Sequence, residues 1–511
     1  MTTEIIATLV YMIVLIVIGI WGYYKARNSL EGFLLGGRTV GPLVIALTLQ
    51  ATAMSAYIFQ AIPGVAYTGG LSSIWYPFSS FFGAILAFLL LAKRLRKFTG
   101  MSNSLTFTDF LSFRYYDGNR GIVRVIAVII TVIFSLAYVG AQFVATGTMF
   151  HYFFGLDVRT GIIIGAVVVF VYTLAGGFFS VIWTEFFQGA IMFFVLLIVP
   201  ILGFINLGGV DATITNLAQQ DPALIKTPFH FISWLGIMFI GIAYIGQPQL
   251  AVRYMAMKNT NRVYKVTLLT IGIWAVISLY GAFVTGLQAR VTHPGLDNAE
   301  LSFFVIVNET HPHFITGNVI AAVLAAIMST AASLLLLGAS GISEDIYHKF
   351  MNKNASQSKL INITRLYILV ISVFAVFFAV FSQKVILTLV LFAFAGLSGA
   401  FAAPLILGLF WKRATKEGAI VGMLSGMATV IFWHYAGLGS FIYEVIPAWI
   451  VSFVLMWIVS LSTSKPPEKI EKMIDKSKPK RFKPTRTKPN LEPTNFSEAK
   501  RALSELDLEG K

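Results

Sequence analysis

The chain has 511 residues, of which 57% are hydrophobic and 12% are charged, and its mean hydropathy is +0.78. Soluble globular chains are about a quarter charged, so this composition excludes an ordinary soluble domain and predicts repeated membrane-spanning segments. The net charge of +15 lies in short loops and in roughly the last fifty residues, which argues against a basic nucleic-acid groove. The absence of cysteine excludes disulfides, thiolate nucleophiles and Cys-ligated metals.

The apolar runs predict an all-α polytopic membrane protein with about thirteen transmembrane helices. The runs are continuously apolar and lack the alternation of barrel strands. The first run has neither a basic leader nor a small-residue cleavage site, so it is expected to remain as a span. The spans are predicted near 5–24, 40–62, 72–92, 123–150, 159–176, 180–206, 231–251, 265–288, 315–341, 362–381, 385–410, 417–436 and 442–462.

The charge of the connecting loops alternates along the chain. Loops after odd-numbered spans are basic, as with Arg27 after the first, Arg114 and Arg120 after the third, and Arg253 after the seventh. Loops after even-numbered spans carry almost no Lys or Arg. Because basic loops face the cytoplasm, the N-terminus is predicted outside and the C-terminus inside, in a multi-pass protein of the cell membrane.

Two predicted spans are unusually polar. The second carries Thr48, Gln50, Thr52, Ser55 and Gln60. The ninth carries Ser329, Thr330 and Ser333, and residues 329 and 333 lie one helical turn apart. Sodium is a hard cation that binds oxygen, and a site can combine hydroxyls with carbonyls freed where a helix unwinds. The alternative, that these hydroxyls bond their own i−4 carbonyls or join helices, stays open.

No Asp, Glu, Lys or Arg is expected in the middle of any span, and Glu185 comes closest, near the inner end of the sixth. A proton-coupled carrier usually needs a central titratable group, so this pattern favours metal-ion coupling. In the seventh span, Gly246 and Pro248 flank Gln247, and this triplet can break the helix. An ordinary helix-ending proline remains the alternative.

Signatures of enzymes are absent from the sequence. We find no GxSxG, GxxxxGK[ST] or HExxH motif, so no catalytic residues are assigned and the chain is not expected to be an enzyme. A channel would show a selectivity filter or charged rings. A carrier therefore fits this pattern of polar and broken helices better than a channel or a membrane-bound sensor.

Five segments, taken in order, resemble the sodium:solute symporter family. They are FLLGGRTVGPLVIALTLQATAMSA (33–56), SLTFTDFLSFRY (104–115), YTLAGGFFSVIWTEFFQGAIM (172–192), GQPQLAVRYMA (246–256) and AAIMSTAASLLLLGASGISEDIY (325–347). The resemblance implies a LeuT-like core of two inverted five-helix repeats, spans two to six and seven to eleven, with the first helix of each repeat broken.

The predicted spans and the resemblance divide residues 1–464, and the Lys- and Pro-rich composition sets off the segment that follows. Residues 1–39 would hold the first span and a basic loop, and 40–410 the transporter core. Residues 411–464 would form two peripheral spans, and 465–511 a disordered basic cytoplasmic tail.

By the same resemblance, sodium would bind between the second and ninth spans. Its ligands would be the carbonyls of Ala51, Met54 and Ala326 and the hydroxyls of Ser329 and Thr330. A second sodium site would use Glu185 and Ser333. Since Ala332 stands where a further hydroxyl would be, the second ion is left open.

The solute is less closely defined. Proline symporters of the family carry an Asp where this chain has Ala53, and a Trp where it has Ile240. The resemblance therefore favours a small carboxylate such as pantothenate or a monocarboxylate, with a sodium/proline symporter as the alternative and a proton-coupled carrier less favoured. The expected partners are sodium, the solute and the bilayer, with no nucleic acid and the oligomeric state left open. Candidate solute-lining residues, for each of which a packing role is also open, are Gln50, Ser55, Tyr57, Tyr138, Gln142, Tyr244 and Gln247.

Overall fold

A computed structural model describes residues 2–26, 30–118, 120–381 and 386–478. Helices account for the regular structure of these ranges, apart from one isolated bridge between Val40 and Met257. In the first half the α-helices are α1 Thr2–Ala26, α2 Leu30–Leu35, α3 Pro42–Met54, α4 Ala61–Gly69, α5 Trp75–Ala87, α6 Lys93–Ser102, α7 Phe107–Arg114, α8 Ile122–Phe154, α9 Val158–Leu207 and α10 Val210–Gln220. In the second half they are α11 Phe231–Ile242, α12 Pro248–Ala256, α13 Asn261–Thr292, α14 Ser302–Thr310, α15 His313–Ser340, α16 Gln357–Phe381, α17 Ile386–Phe410, α18 Lys416–Tyr435, α19 Val445–Ser462 and α20 Glu468–Ser477.

The described helices support a protein that crosses the membrane many times. Ten of them are long and apolar enough to span a bilayer, or eleven if the bent pair α11 and α12 counts as one. Two shorter apolar helices, Pro42–Met54 and Val158–Val171, lie where two further spans are predicted. The all-α architecture is confirmed, whereas the count of thirteen and the orientation of the termini stay predictions.

The second predicted span is broken in its middle. Helix α3 ends at Met54, and Ser55 has φ 51° and ψ −162°. A positive φ is unfavourable for a residue with a side chain, and here Ser55 Oγ accepts a hydrogen bond of 3.2 Å from the Tyr57 amide. The chain then continues through a 3-10 turn, Ala56–Ile58, into α4.

The seventh predicted span is also broken, as Gly246 and Pro248 indicated. Helix α11 passes into a 3-10 turn, Ala243–Gly246, and Gln247 is extended before α12 begins at Pro248. The two helices are bent by 47°. Proline fits the first turn of α12 because its missing amide hydrogen has no helical acceptor there.

Helix α15 occupies the middle of the described fold. Its most apolar window is entirely buried, and it packs against α1, α3, α8 and α9. Its alanines let those helices approach closely, as small residues do between membrane helices. The hydroxyls of Ser329, Thr330 and Ser333 on α15 are buried and therefore face other helices rather than lipid.

The beginning of the predicted disordered tail is instead helical. In α20, Ile470 and Ile474 are buried, and α20 packs against α6. Lys412 forms a 2.5 Å salt bridge with Asp475. The rest of the predicted tail, residues 479–511, lies outside the described residues, as does Arg27.

Arg114, expected in a basic loop, is fully buried at the end of α7. Its guanidinium donates to the carbonyls of Gly408, in the last turn of α17, and of Trp411 (2.9 Å) and Ala414 (3.2 Å), which follow that helix. Arginine suits this position because its planar group offers five donors. These bonds join the α6–α7 region to the end of α17.

Replacing Arg114 with methionine is expected to destabilise the protein. Each buried carbonyl left without a donor costs about 1–3 kcal/mol, so the melting temperature of the purified protein should fall by several degrees. Differential scanning fluorimetry in detergent would measure the change. Arg120→Met is the matched control, because Arg120 is exposed and its loss should leave the melting temperature unchanged.

Candidate functional site

The two hydroxyls predicted to bind sodium lie against the broken helix. Ser329 Oγ lies within donating distance of the carbonyls of Ala51 (2.8 Å) and Ala326 (3.0 Å), which share its one hydrogen. Thr330 Oγ1 is likewise within donating distance of the carbonyls of Thr52 (3.0 Å) and Ala326 (3.2 Å). These contacts, one within α15 and one to α3, are of the two kinds that the sequence left open as the alternative to sodium binding, and sodium binding at the two hydroxyls stays a prediction.

The break at Ser55 explains why these carbonyls accept bonds from another helix. The last four carbonyls of a helix have no intrahelical partner, and in α3 they belong to residues 51–54. Those of Ala51 and Thr52 receive the hydroxyls of α15, and Met54 ends the same turn. Several uncharged oxygens thus converge in a fully buried place, the ligand chemistry that a hard cation prefers.

A narrow cleft lies beside the two breaks. It is lined by residues of α3, α8, α11 and α17 and of both 3-10 turns, all of them uncharged. The lining residues are Ala53, Tyr57, Tyr138, Ile240, Tyr244, Val390, Leu391 and Phe394. The ring centroid of Phe394 lies 5.2 Å from that of Tyr244 and 6.4 Å from that of Tyr138. Aromatic faces with hydroxyl groups at their edges can hold a small apolar body and orient its polar atoms.

Three other candidate solute residues, Ser55, Gln142 and Gln247, form hydrogen bonds at the breaks and are not among the lining residues of the cleft. Tyr138 forms such a bond and also lines the cleft. Gln142 Oε1 accepts from the Ala56 amide at 2.9 Å, and Gln247 Nε2 donates to the Phe394 carbonyl at 2.9 Å. Tyr138 donates to Ser55 Oγ at 3.4 Å. Gln50 bonds the Ile271 carbonyl of α13 at 3.4 Å, away from the cleft.

An open recess adjoins the cleft. The two share Ile240 and Leu391, and the recess continues past His434, Tyr443 and Glu444. Sequence reasoning missed Leu391 and Phe394, because both lie in the uniformly apolar run of α17, where no polar residue or break distinguishes a lining position.

Arg253 does not lie in the cytoplasmic loop where the charge pattern predicted it. It lies in α12, is 2% exposed, and places Nη2 2.5 Å from Oε1 of Glu185, which is 0% exposed. The error arises because hydropathy ends a span at its first charge, whereas a broken helix continues beyond it. Glu185 and Ser333 do come together, and the Arg253 guanidinium contacts both of them: Ser333 Oγ donates to Glu185 Oε1, and Arg253 Nη2 donates to Ser333 Oγ.

The sequence model described as "Sodium:solute symporter family" matches residues 33–426. The high-affinity proline transporter PutP of Bacillus subtilis is 37% identical over 458 residues, covering 88% of this chain and 96% of that protein. A sodium/proline symporter of Staphylococcus aureus is 35% identical, covering 91% and 94%.

Solved structures agree on the fold. A sodium-coupled sialic acid symporter in a substrate-bound, outward-open state has a TM-score of 0.77 at 20% identity, covering 91% of this chain and 98% of that one. The nucleobase–cation symporter Mhp1 has a TM-score of 0.53 at 13% identity, covering 88% and 99%. These likenesses confirm the predicted LeuT-like fold, and the relatives are transporters rather than enzymes. The chain belongs to the sodium:solute symporter family and is a multi-pass, sodium-coupled carrier of an organic solute.

Proposed function

We propose that this chain carries L-proline, or a closely similar amino acid, into the cell together with sodium. The observation that carries this proposal is the 37% identity to a high-affinity proline transporter over 88% of the chain. The relatives thus favour proline over the pantothenate or monocarboxylate expected first. Ala53 and Ile240, the two departures from the proline-symporter pattern, both line the cleft. The solute selectivity of this cleft can therefore differ in detail from that of the family's proline symporters.

The cleft suits a small zwitterion. Proline has an apolar ring, a secondary ammonium and a carboxylate, with no net charge, and the cleft offers no charged side chain that would unbalance it. Aromatic faces attract an ammonium group, and Tyr57, Tyr138 and Tyr244 provide three rings. The N-terminus of α12, just beyond Gln247, offers the positive end of a helix dipole to the carboxylate.

We further propose that sodium binds where α3 meets α15. The carbonyls of Ala51, Met54 and Ala326 and the hydroxyls of Ser329 and Thr330 would be its ligands. On binding, each hydroxyl would turn its lone pairs to the ion and release its hydrogen bond to a carbonyl. The ion would then join the broken helix to α15 and so favour the conformation in which the neighbouring cleft can hold the solute.

Uptake into proteoliposomes tests the solute. Labelled proline, pantothenate, pyruvate, acetate and sialic acid would each be offered with an inward sodium gradient or with choline in place of sodium. Proline alone should accumulate, and only with sodium. Accumulation of pantothenate or pyruvate instead of proline would contradict the proposal.

A substitution in the cleft tests whether proline binds there. Tyr244→Ala removes a ring that packs on Phe394 and should raise the KM for proline by about tenfold, the equivalent of about 1.4 kcal/mol. Tyr435→Ala is the matched control, since Tyr435 is 78% exposed and its loss should leave KM unchanged.

A further inference from the structure

A buried ion pair lies one helical turn from the proposed sodium ligands. Glu185 of α9 is 0% exposed and Arg253 of α12 is 2% exposed. Arg253 Nη2 lies 2.5 Å from Glu185 Oε1, and Arg253 Nη1 also donates to the Gln249 carbonyl at 2.6 Å. Sodium binding as described above uses neither charged group.

Hydrogen bonds connect this pair to the sodium site. Thr52 Oγ1 donates to Glu185 Oε1 at 2.9 Å, while the Thr52 carbonyl accepts from Thr330. Ser333 Oγ contacts both charged groups and lies 2.9 Å from the Ser329 carbonyl. The same two helices, α3 and α15, therefore contribute oxygens to both clusters.

The oxygens around Arg253 Nη2 are of the kind that would bind a metal cation. The Glu185 carboxylate and the Ser333 hydroxyl contact Nη2, and the Thr52 hydroxyl donates to the same carboxylate oxygen. Arginine is always charged in proteins, so its positive charge is permanently present there. Glu185 and Arg253 together carry no net charge, and Arg253 Nη2 already contacts the Glu185 carboxylate and the Ser333 hydroxyl. A second sodium ion would have to compete with a tethered charge for these same oxygens.

We propose that Arg253 is a tethered cation that occupies the place of a second sodium ion beside Glu185 and Ser333, so that this chain binds and moves one sodium ion. The proposal rests on sodium-coupled transport but not on the identity of the solute. It deepens the proposed function by assigning its ion stoichiometry. It also assigns Glu185 a charged partner on α12, the helix that follows the break at Gln247.

One oxygen of the pair remains available. Glu185 Oε2 and Arg253 Nε are buried and have no hydrogen-bond partner among the described residues. A cavity borders Arg253, Ser333 and Gln249. If the guanidinium were removed, Glu185 would be a buried carboxylate with a free oxygen, two neighbouring hydroxyls and an adjacent space, which together form a site for a second sodium ion.

Counting bound ions tests the proposal without any solute. The purified protein in detergent would be titrated with 22Na+ to saturation in a scintillation proximity assay. Wild type should bind one ion per chain, and Arg253→Met should bind two. Arg253→Lys, which keeps the charge, and the double variant Glu185→Gln/Arg253→Met, which removes both charges, should each bind one.

Two ions per chain in wild type would overturn the proposal, as would one ion per chain in a folded Arg253→Met protein. If Arg253→Met does not fold, the number of sodium ions bound by the Ser329→Ala/Thr330→Ala protein tests the proposal instead. Its count should fall to zero, and one remaining ion would reveal a second occupied site and overturn the proposal. Because no solute is present, a failure of the proline assignment leaves these counts unaffected.

Discussion

Replacing Ser329 and Thr330 together with alanine is expected to abolish sodium-dependent uptake at ordinary sodium concentrations. The variant loses both proposed hydroxyl ligands and leaves the carbonyls of Ala51 and Ala326 without the donors they have now. If each hydroxyl contributes about 1.4 kcal/mol, its loss weakens binding tenfold. The sodium concentration that gives half-maximal uptake should then rise by about tenfold for one substitution and further for both.

Initial rates of proline uptake at increasing external sodium would measure this effect. Thr330→Ser keeps a hydroxyl and should stay within about threefold of wild type, a difference of under 1 kcal/mol. Ser278→Ala removes a buried hydroxyl of α13, outside the proposed site, and should leave sodium dependence intact. An unchanged sodium dependence in a well-folded double variant would show that the ion binds elsewhere.

Valine at Gly241 is expected to separate α11 from α5 and to abolish transport. A Cβ at this position would lie 1.8 Å from the Ser79 carbonyl oxygen, and the Gly241 amide donates to Ser79 Oγ at 2.8 Å. Overpacking a core costs about 1–3 kcal/mol, and a clash with backbone lies at the upper end of that range. The displaced helix would carry Ile240 and Tyr244 out of the cleft.

The yield of monodisperse protein and the Vmax for proline would measure this effect, and both should fall by about tenfold or more. Gly272→Val is the matched control, because a Cβ there meets no atom within 4 Å. Normal yield and uptake by Gly241→Val would show that α5 and α11 do not pack as closely in the membrane.

Residue chemistry alone predicted several parts of the site. Hydroxyls on a buried, alanine-rich helix indicated cation ligands, and the Gly246–Gln247–Pro248 triplet indicated a break. Both signals are local, because they depend on the intrinsic preferences of a few adjacent residues. The family resemblance added the carbonyl positions, among them Ala51 and Ala326, which the fold brings within 3.0 Å of Ser329 Oγ.

Other parts depend on contacts between distant segments. Ser55 has no intrinsic preference for a positive φ, so its residue type gave no sign of the break. Glu185 and Arg253 are 68 residues apart, and a hydropathy window treats each charge as the end of a span. A search for opposite charges near the ends of broken spans could have paired them. Phe394 lies in a uniformly apolar helix, so nothing in the sequence around it indicated that it lines the cleft.

The most direct test of the account is whether proline drives sodium through the site. Proteoliposomes would have the same concentration of unlabelled sodium inside and outside, and a trace of 22Na+ would be added outside. Potassium and valinomycin would clamp the membrane voltage. Adding external proline should accelerate 22Na+ uptake by wild type and have no effect on Ser329→Ala/Thr330→Ala. Sodium movement that ignores proline in wild type, or responds equally in the double variant, would contradict coupling at the contact of α3 and α15.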